Sequence, residues 1–399
     1  IIEGTFAYSS YLIKLEESLL NPRQSGVNGF NLGLNFTSFQ NENEIQYGLE
    51  ILGYQTDFDF TNATGIQIEQ KENSTELSGF IRYKVKKGKL IFDPGVRIYK
   101  YNSLRATFEP RLGAKFLASD RLRFKLAAGK YSQNLVSTNS DQDVVNLFYG
   151  FLSAPDNLPD EFKGKEVVNG LQTANHLILG LEYDISNKID FNIEGYVKDF
   201  TQLTNINKNK LTGSDPDFIV EEGLAKGVDF VLKYNDPKIY LWLVYSLGHI
   251  SRNGEEISYN PHFDRRHNLN LVSTYRFGAD KSWSFDARWN LGSGFPFTQT
   301  QGFYPNLDFS DGVDTEYISE TGELGILYAG LNEGRLPWYH RLDIALKKTH
   351  YLSKSSNFEW NVGITNLYNR ENIFYFNRIE YKRVNQLPIM PSLGMSLSF

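Results

Sequence analysis

Apolar and polar residues alternate along most of this chain, and the alternation is cleanest between Asp264 and Thr298. There Leu269, Leu271, Ser273, Tyr275 and Phe277 share one face of a strand. Asn268, Asn270, Thr274 and Arg276 share the other, with Val272 an apolar intruder. After a turn at Gly278–Lys281, Trp283, Phe285, Ala287, Trp289 and Leu291 alternate with Ser284, Asp286, Arg288 and Asn290. A period of two puts successive side chains on opposite faces of a strand. One face is therefore apolar and aromatic, and the other carries charge.

The pattern recurs. Leu177, Leu179, Leu181 and Tyr183 line one face of a strand. Ile189, Phe191, Ile193 and Val197 alternate with Asp190, Asn192, Glu194 and Lys198 in the next. Upstream, Phe108, Leu112, Ala114 and Phe116 alternate with Glu109, Arg111 and Lys115. About sixteen strands follow from this reading, among them Glu44–Phe58 and Asn357–Phe376. Connections at one end are short, as at Gln40–Asn43, Lys87-Gly88, Ser186-Asn187 and Gly278–Lys281. At the other they are long and polar: Val136–Thr173, Thr204–Gly223, Ser251–Arg265 and Thr298–Tyr339. About ten tilted residues cross a bilayer, and membrane barrels segregate turns and loops in this way. The expected fold is all-β: a transmembrane antiparallel β-barrel whose apolar face meets lipid and whose charged face lines a lumen. Tyr101, Tyr131, Tyr183, Tyr275, Trp283 and Tyr339, near strand ends, are expected at the lipid–water girdles.

Composition agrees once the alternation is allowed for. The 399 residues include 24 Tyr, 29 Phe, 5 Trp and no Cys, with a net charge of −6. A mean hydropathy of −0.40 fits a chain in which half of every strand is polar. The acidic balance argues against a nucleic-acid partner, and the lack of Cys excludes a disulfide scaffold and thiolate metal sites. No run of about 18 apolar residues offers a transmembrane helix. The segment Asp141–Phe151 has helix-compatible spacing.

The lumen-facing charges Arg111, Lys115, Asp190, Glu194, Asp286, Arg288, Arg341 and Asp343 are candidates for a ligand path or docking wall. The plainer reading is a solvated wall with cross-strand ion pairs. Among loop aromatics, Phe148, Tyr149, Tyr259, Phe303, Tyr304 and Tyr317 are candidate ligand contacts, against the reading that they pack over the barrel mouth. Asp308, Asp311 and Asp314 form a weak calcium candidate without EF-hand spacing. His262, Asp264 and His267 are a poor metal set, because Arg265 and Arg266 stand among them. No catalytic motif is present, and no cofactor is expected.

Three segments carry a family resemblance: FDRRHNLNL with WNLGSGFPFT, then GRLPWYHRLDIALKK (334–348), then VGITNLYNRENIF (362–374). In this order they resemble the C-terminal barrel region of TonB-dependent outer-membrane receptors, most of all the Bacteroidetes type. The resemblance implies the C-terminal part of a 22-stranded barrel, with residues 1–399 lacking the N-terminal plug and first strands. It implies import of a scarce ligand, captured by extracellular loops, through a plug-gated barrel in the Gram-negative outer membrane. The implied partners are outer-membrane lipid, the TonB complex through the missing N-terminus, the β-barrel assembly machinery and possible capping by a surface lipoprotein. Gly394, Leu397 and Phe399 match the C-terminal assembly signal of such barrels. Two other readings stay open: a structural subunit of an outer-membrane complex, or a passive sixteen-stranded porin.

Overall fold

The computed structural model describes all residues except 18–19, 62–65, 103–105, 139–149, 154, 209, 307–322, 354 and 379. It contains one antiparallel sheet of seventeen strands. One of these is the two-residue strand Ser258–Tyr259. The others run β1 (Ile2–Glu17), β2 (Leu20–Gln40), β3 (Asn43–Thr61), β4 (Gln67–Lys87), β5 (Leu90–Tyr101), β6 (Thr107–Leu117), β7 (Leu122–Gln133) and β8 (Gln172–Ser186). They continue with β9 (Ile189–Ile206), β10 (Phe218–Asn235), β11 (Ile239–Asn253), β12 (His267–Phe277), β13 (Trp283–Gly292), β14 (Tyr339–Tyr351), β15 (Asn357–Thr365) and β16 (Met390–Ser398). Each strand pairs with its neighbours in sequence, from β1–β2 to β15–β16. Among the described residues the outer edges of β1 and β16 have no strand partner.

The long connections all fall at one end. At the opposite end none exceeds five residues, as at 278–282 and 352–356. Gly278 sits at φ 87° there, a backbone state open to glycine at no steric cost. At the other end lie the long connections 134–171, 207–217, 254–266, 293–338 and 366–389. The last of these corrects the expected strand Asn357–Phe376, which stops at Thr365. Asn366 and Asn369 adopt φ of 54° and 50°, which asparagine tolerates better than most residues. The buried Asn366 side chain accepts from the Arg370 N–H at 2.9 Å and donates to the Arg370 and Leu387 carbonyls. That turn ends the strand, and Ile373–Asn377 forms its own hairpin with Lys382–Asn385. The expected helix Asp141–Phe151 lies mostly outside the described residues. Its last two residues belong to a strand, Gly150–Leu152, paired with Val136–Thr138.

Register keeps the two faces continuous across the sheet. Leu269 pairs with Leu291, Leu271 with Trp289 and Tyr275 with Phe285 on the apolar face. Asn270 with Asn290 and Thr274 with Asp286 pair on the polar face. Of the aromatics expected at the girdles, Tyr183 and Tyr275 are exposed on the apolar face. Tyr101, Tyr131 and Tyr339 are on the polar face instead. Tyr101 is buried opposite Glu76, Arg111 lies 4.6 Å over the Tyr131 ring, and Tyr339 pairs with Gly292. Each shares the parity of the charged residues on its own strand, and parity decides the face.

Near the long-connection end the polarity of β3 and β4 inverts. Tyr47, Leu49 and Ile51 are exposed on the outward face, but Gln55, Asp57 and Asp59 follow them on that same face. The inward side then carries Phe58, Phe60 and Ile68, all buried. They pack with Val136, Leu152, Ile206 and Phe218 into the main apolar core of the described residues. Hydroxyls tie the folded-in segment down. Phe151 N–H donates to Ser25 Oγ at 2.8 Å, and Ser153 Oγ lies 3.2 and 3.1 Å from the Thr56 and Ser74 hydroxyls. The core therefore sits inside the mouth of the curved sheet.

Candidate functional site

The polar face carries an ion-pair ladder on β6 to β9. Lys115 and Lys125 are direct cross-strand partners, and alone they would repel. Glu182 on β8 relieves this by pairing with Lys115 at 2.7 Å, Arg123 at 2.9 Å and Lys125 at 3.0 Å. Asp184 takes Arg123 at 2.5 Å, and Glu194 takes Lys125. Arg111 pairs with the fully buried Glu109 at 2.9 Å. Farther along, Asp286 accepts from Thr274 Oγ1 at 2.5 Å, and Arg341 pairs with Asp343 at 2.9 Å beside Arg288. Asp190 faces Asp184 on one side and Lys233 on the other. All eight wall candidates thus lie on the polar face, most of them in ion pairs. Such half-exposed pairs are each worth about 0–1 kcal/mol.

The mouth holds two adjoining cavities. The larger, about 680 Å³, is lined by Asn205, Asn207, Phe218, Glu221, Tyr259 and Tyr328, among others. The second, about 550 Å³, lies along the wall against Glu194, Tyr196, Lys198, Phe200, Arg252 and Phe263. A polar latch joins their walls. Glu221, 2% exposed, accepts from Tyr259 Oη at 2.9 Å and from Arg252 Nη1 at 3.4 Å. The loop beneath is braced by Lys210, bonded to Asp217 at 2.6 Å. Two backbone N–H groups, of Leu211 and Thr212, donate to the Asp215 carboxylate at 2.9 Å and hold it below its usual range.

Of the aromatic loop candidates, Tyr259 is buried in the latch rather than presented to solvent. Phe303 and Tyr304 sit on the hairpin Thr300–Asn306 with Glu323–Tyr328, where Phe303 packs edge-on to Tyr381. Phe148, Tyr149 and Tyr317 lie outside the described residues, as do Asp308, Asp311 and Asp314. Asp264 is consumed by Arg266 at 2.9 Å, Arg335 at 2.6 Å and the Ile250 N–H at 2.8 Å. His267 bonds Tyr245 Oη at 2.8 Å. No group of three or more metal-ligating side chains occurs among the described residues. Gly394 pairs with Asn361 and Leu397 with Phe358, while Phe399 is 95% exposed beyond the end of β16.

A third cavity, about 180 Å³, was not among the sequence candidates, although most of its lining comes from the three segments that carry the family resemblance. It lies at the long-connection end of β12 to β15, against Arg265, Trp338, Tyr339, Arg370, Asn372 and Gln386. The Arg265 guanidinium lies 4.1 Å over the Phe295 ring and 5.5 Å from the Tyr339 ring. It rests on Gly292, where a Cβ would meet its guanidinium carbon at 2.5 Å and push the guanidinium aside. Burial pushes the Arg265 pKa down from its ordinary value.

No protein-family profile and no curated protein matches the chain by sequence. Solved structures match by shape. The ferric citrate transporter FecA aligns with all of the chain and 58% of its own, at a TM-score of 0.61 and 13% identity. The ferric-catecholate import receptor Fiu from Escherichia coli K12 covers 95% of the chain and 56% of its own, at 0.61 and 12%. The ferric enterobactin receptor PfeA from Pseudomonas aeruginosa covers 95% and 55%, at 0.60 and 12%. The chain spans little more than half the length of these structures, and over that span it has the antiparallel sheet fold of their strand walls.

Proposed function

We propose that the chain is the greater part of the wall of a TonB-dependent outer-membrane receptor that captures a scarce ligand at its mouth and imports it. The observation that carries this reading is the inside-out sheet with every long connection at one end. An exposed apolar face such as Phe285, Leu49 and Leu179 fits lipid against it, since at half exposure water would penalise each residue by about 1 kcal/mol. The polar face, laced with ion pairs, fits a lumen. The mouth cavities above it are placed to hold a ligand before passage.

The unpaired outer edges of β1 and β16 support a barrel closed by further strands, which a sixteen-stranded porin would not need. In this reading a plug domain and the TonB contact belong to polypeptide outside this chain. The C-terminal strand, with Gly394, Leu397 and Phe399, is read by the assembly machinery through strand addition.

The chain has no Cys, so an engineered one is unique. Glu255→Cys, in a long connection, should react with a membrane-impermeant maleimide on intact cells. Lys188→Cys, in a short turn, should react only after the outer membrane is permeabilised. Equal labelling of both on intact cells contradicts the orientation. In planar bilayers the full-length receptor should carry no steady current, whereas an open pore conducts continuously.

A further inference from the structure

We infer that the cavity around Arg265 is a binding site for a small oxyanion, a carboxylate or phosphate group of a diffusible solute. Buried charge in proteins is normally paired, because an isolated ion loses its hydration without return. Arg265, half-buried, departs from that rule at one atom. Its Nε is buried without a hydrogen-bond partner, and no carboxylate among the described residues pairs with it. The neighbouring acids are already paired: Asp264 holds Arg266 and Arg335, and Glu371, which itself lines the cavity, holds Arg383 on the same lining.

The surroundings pre-organise the guanidinium rather than neutralise it. Phe295 and Tyr339 hold it against their rings, and Gly292 lets it lie flat on the strand. A fixed planar fork is the geometry that takes an oxyanion through two parallel N–H···O bonds. Arg370 lines the same cavity, its Nη2 held 3.4 Å from the Trp338 carbonyl. Asn372 and Gln386 are spent on the framework, bonding the His340 and Ile373 carbonyls. Of the three arginines on the lining, Arg383 is held by Glu371, so Arg265 and Arg370 are left to face about 180 Å³, room for one small acid group but not for a large chelate. The inference stands whether or not the barrel imports a ligand.

Trp338 lines the cavity and reports on it. The purified protein in detergent should show a saturable change in tryptophan emission with succinate or inorganic phosphate, at constant ionic strength. Trp338→Phe should remove the change. Arg265→Gln should weaken binding at least tenfold, and Arg265→Lys less, since it keeps the charge but loses the fork. Lys238→Gln, at the short-turn end, should leave it intact. Circular dichroism of each variant checks that the sheet has formed. Silence of the wild type to both probes overturns the inference, and points to a guanidinium neutralised by another polypeptide segment. An undiminished response in a folded Arg265→Gln protein overturns it equally.

Discussion

The wall and the mouth are built from the same strands with opposite polarity. On β3, Tyr47, Leu49 and Ile51 point outward and Glu50 inward; a few residues on, Asp57 and Asp59 point outward and Phe58 and Phe60 inward. β4 repeats the change from Leu77 and Ile81 outward to Ile68 inward. The backbone ladder runs through both regions without a break in register. In the proposed reading what changes is the medium outside. Against lipid, the apolar side chains belong on the outer surface. Against water they belong inside, and the mouth becomes an ordinary two-layered domain whose second layer is the loops.

The sharpest way to break the mouth without the wall is Phe58→Ala. It should cost about 3–5 kcal/mol of local stability, since the ring is fully buried. Limited proteolysis should then cut near Val136–Leu152 while the wall stays resistant.

The wall is broken the other way. Phe285→Arg or Leu271→Arg should cost roughly 2–4 kcal/mol in a refolding titration, and Asn290→Arg or Asn270→Arg far less. On the mouth the rule relaxes, so Gln55→Arg on the outer face should be near neutral.

A smaller effect is expected at the ion-pair ladder. Arg123→Gln leaves Asp184 without this cation and Glu182 with two lysines. Partial exposure limits the loss to about 1 kcal/mol, and added salt should shrink it.

The smallest effect is at the short turns, which neither lipid nor core supports. Lys188, bonded at 2.5 Å, and the Lys238 N–H hold the Asp236 carboxyl below its ordinary range. Its contribution is complete above the unfolded pKa near 3.9 and is lost as pH falls through the lower folded value. Asp236→Asn should therefore narrow the gap to wild type as the pH is lowered from 7 to 3, read by the unfolding midpoint.

Much of the wall was legible because period-two alternation and turn residues are local. The pairing of Leu271 with Trp289 and of Asn270 with Asn290 follows from keeping like faces together, which makes the turn 278–282, one residue longer than the expected Gly278–Lys281. The inversion on β3 was legible too, as apolar residues pass from odd positions 47, 49 and 51 to even positions 58 and 60. Ending that strand at Phe58 hid it. Parity also placed Tyr101, Tyr131 and Tyr339 inward, where position near a strand end suggested a girdle. The stretch around Asn366 reads as strand because its apolar residues continue, and only the side-chain hydrogen bonds of Asn366 turn the chain. The cavities were not legible as sites, because their linings join residues far apart in the chain. Glu221, Arg252 and Tyr259 come from separate stretches, and Arg265 meets Phe295, Tyr339 and Arg370 only after three connections have folded together.

The central claim is that the medium outside β3 changes from lipid to water within one strand. The direct measurement is quenching by brominated lipid of a fluorophore on single cysteines at positions 47, 49, 51, 55, 57 and 59 in vesicles. The account predicts strong quenching at 47, 49 and 51 and its loss by 57 and 59. Uniform quenching along all six positions, or stronger quenching at the inward position 50 than at 49 and 51, would contradict it.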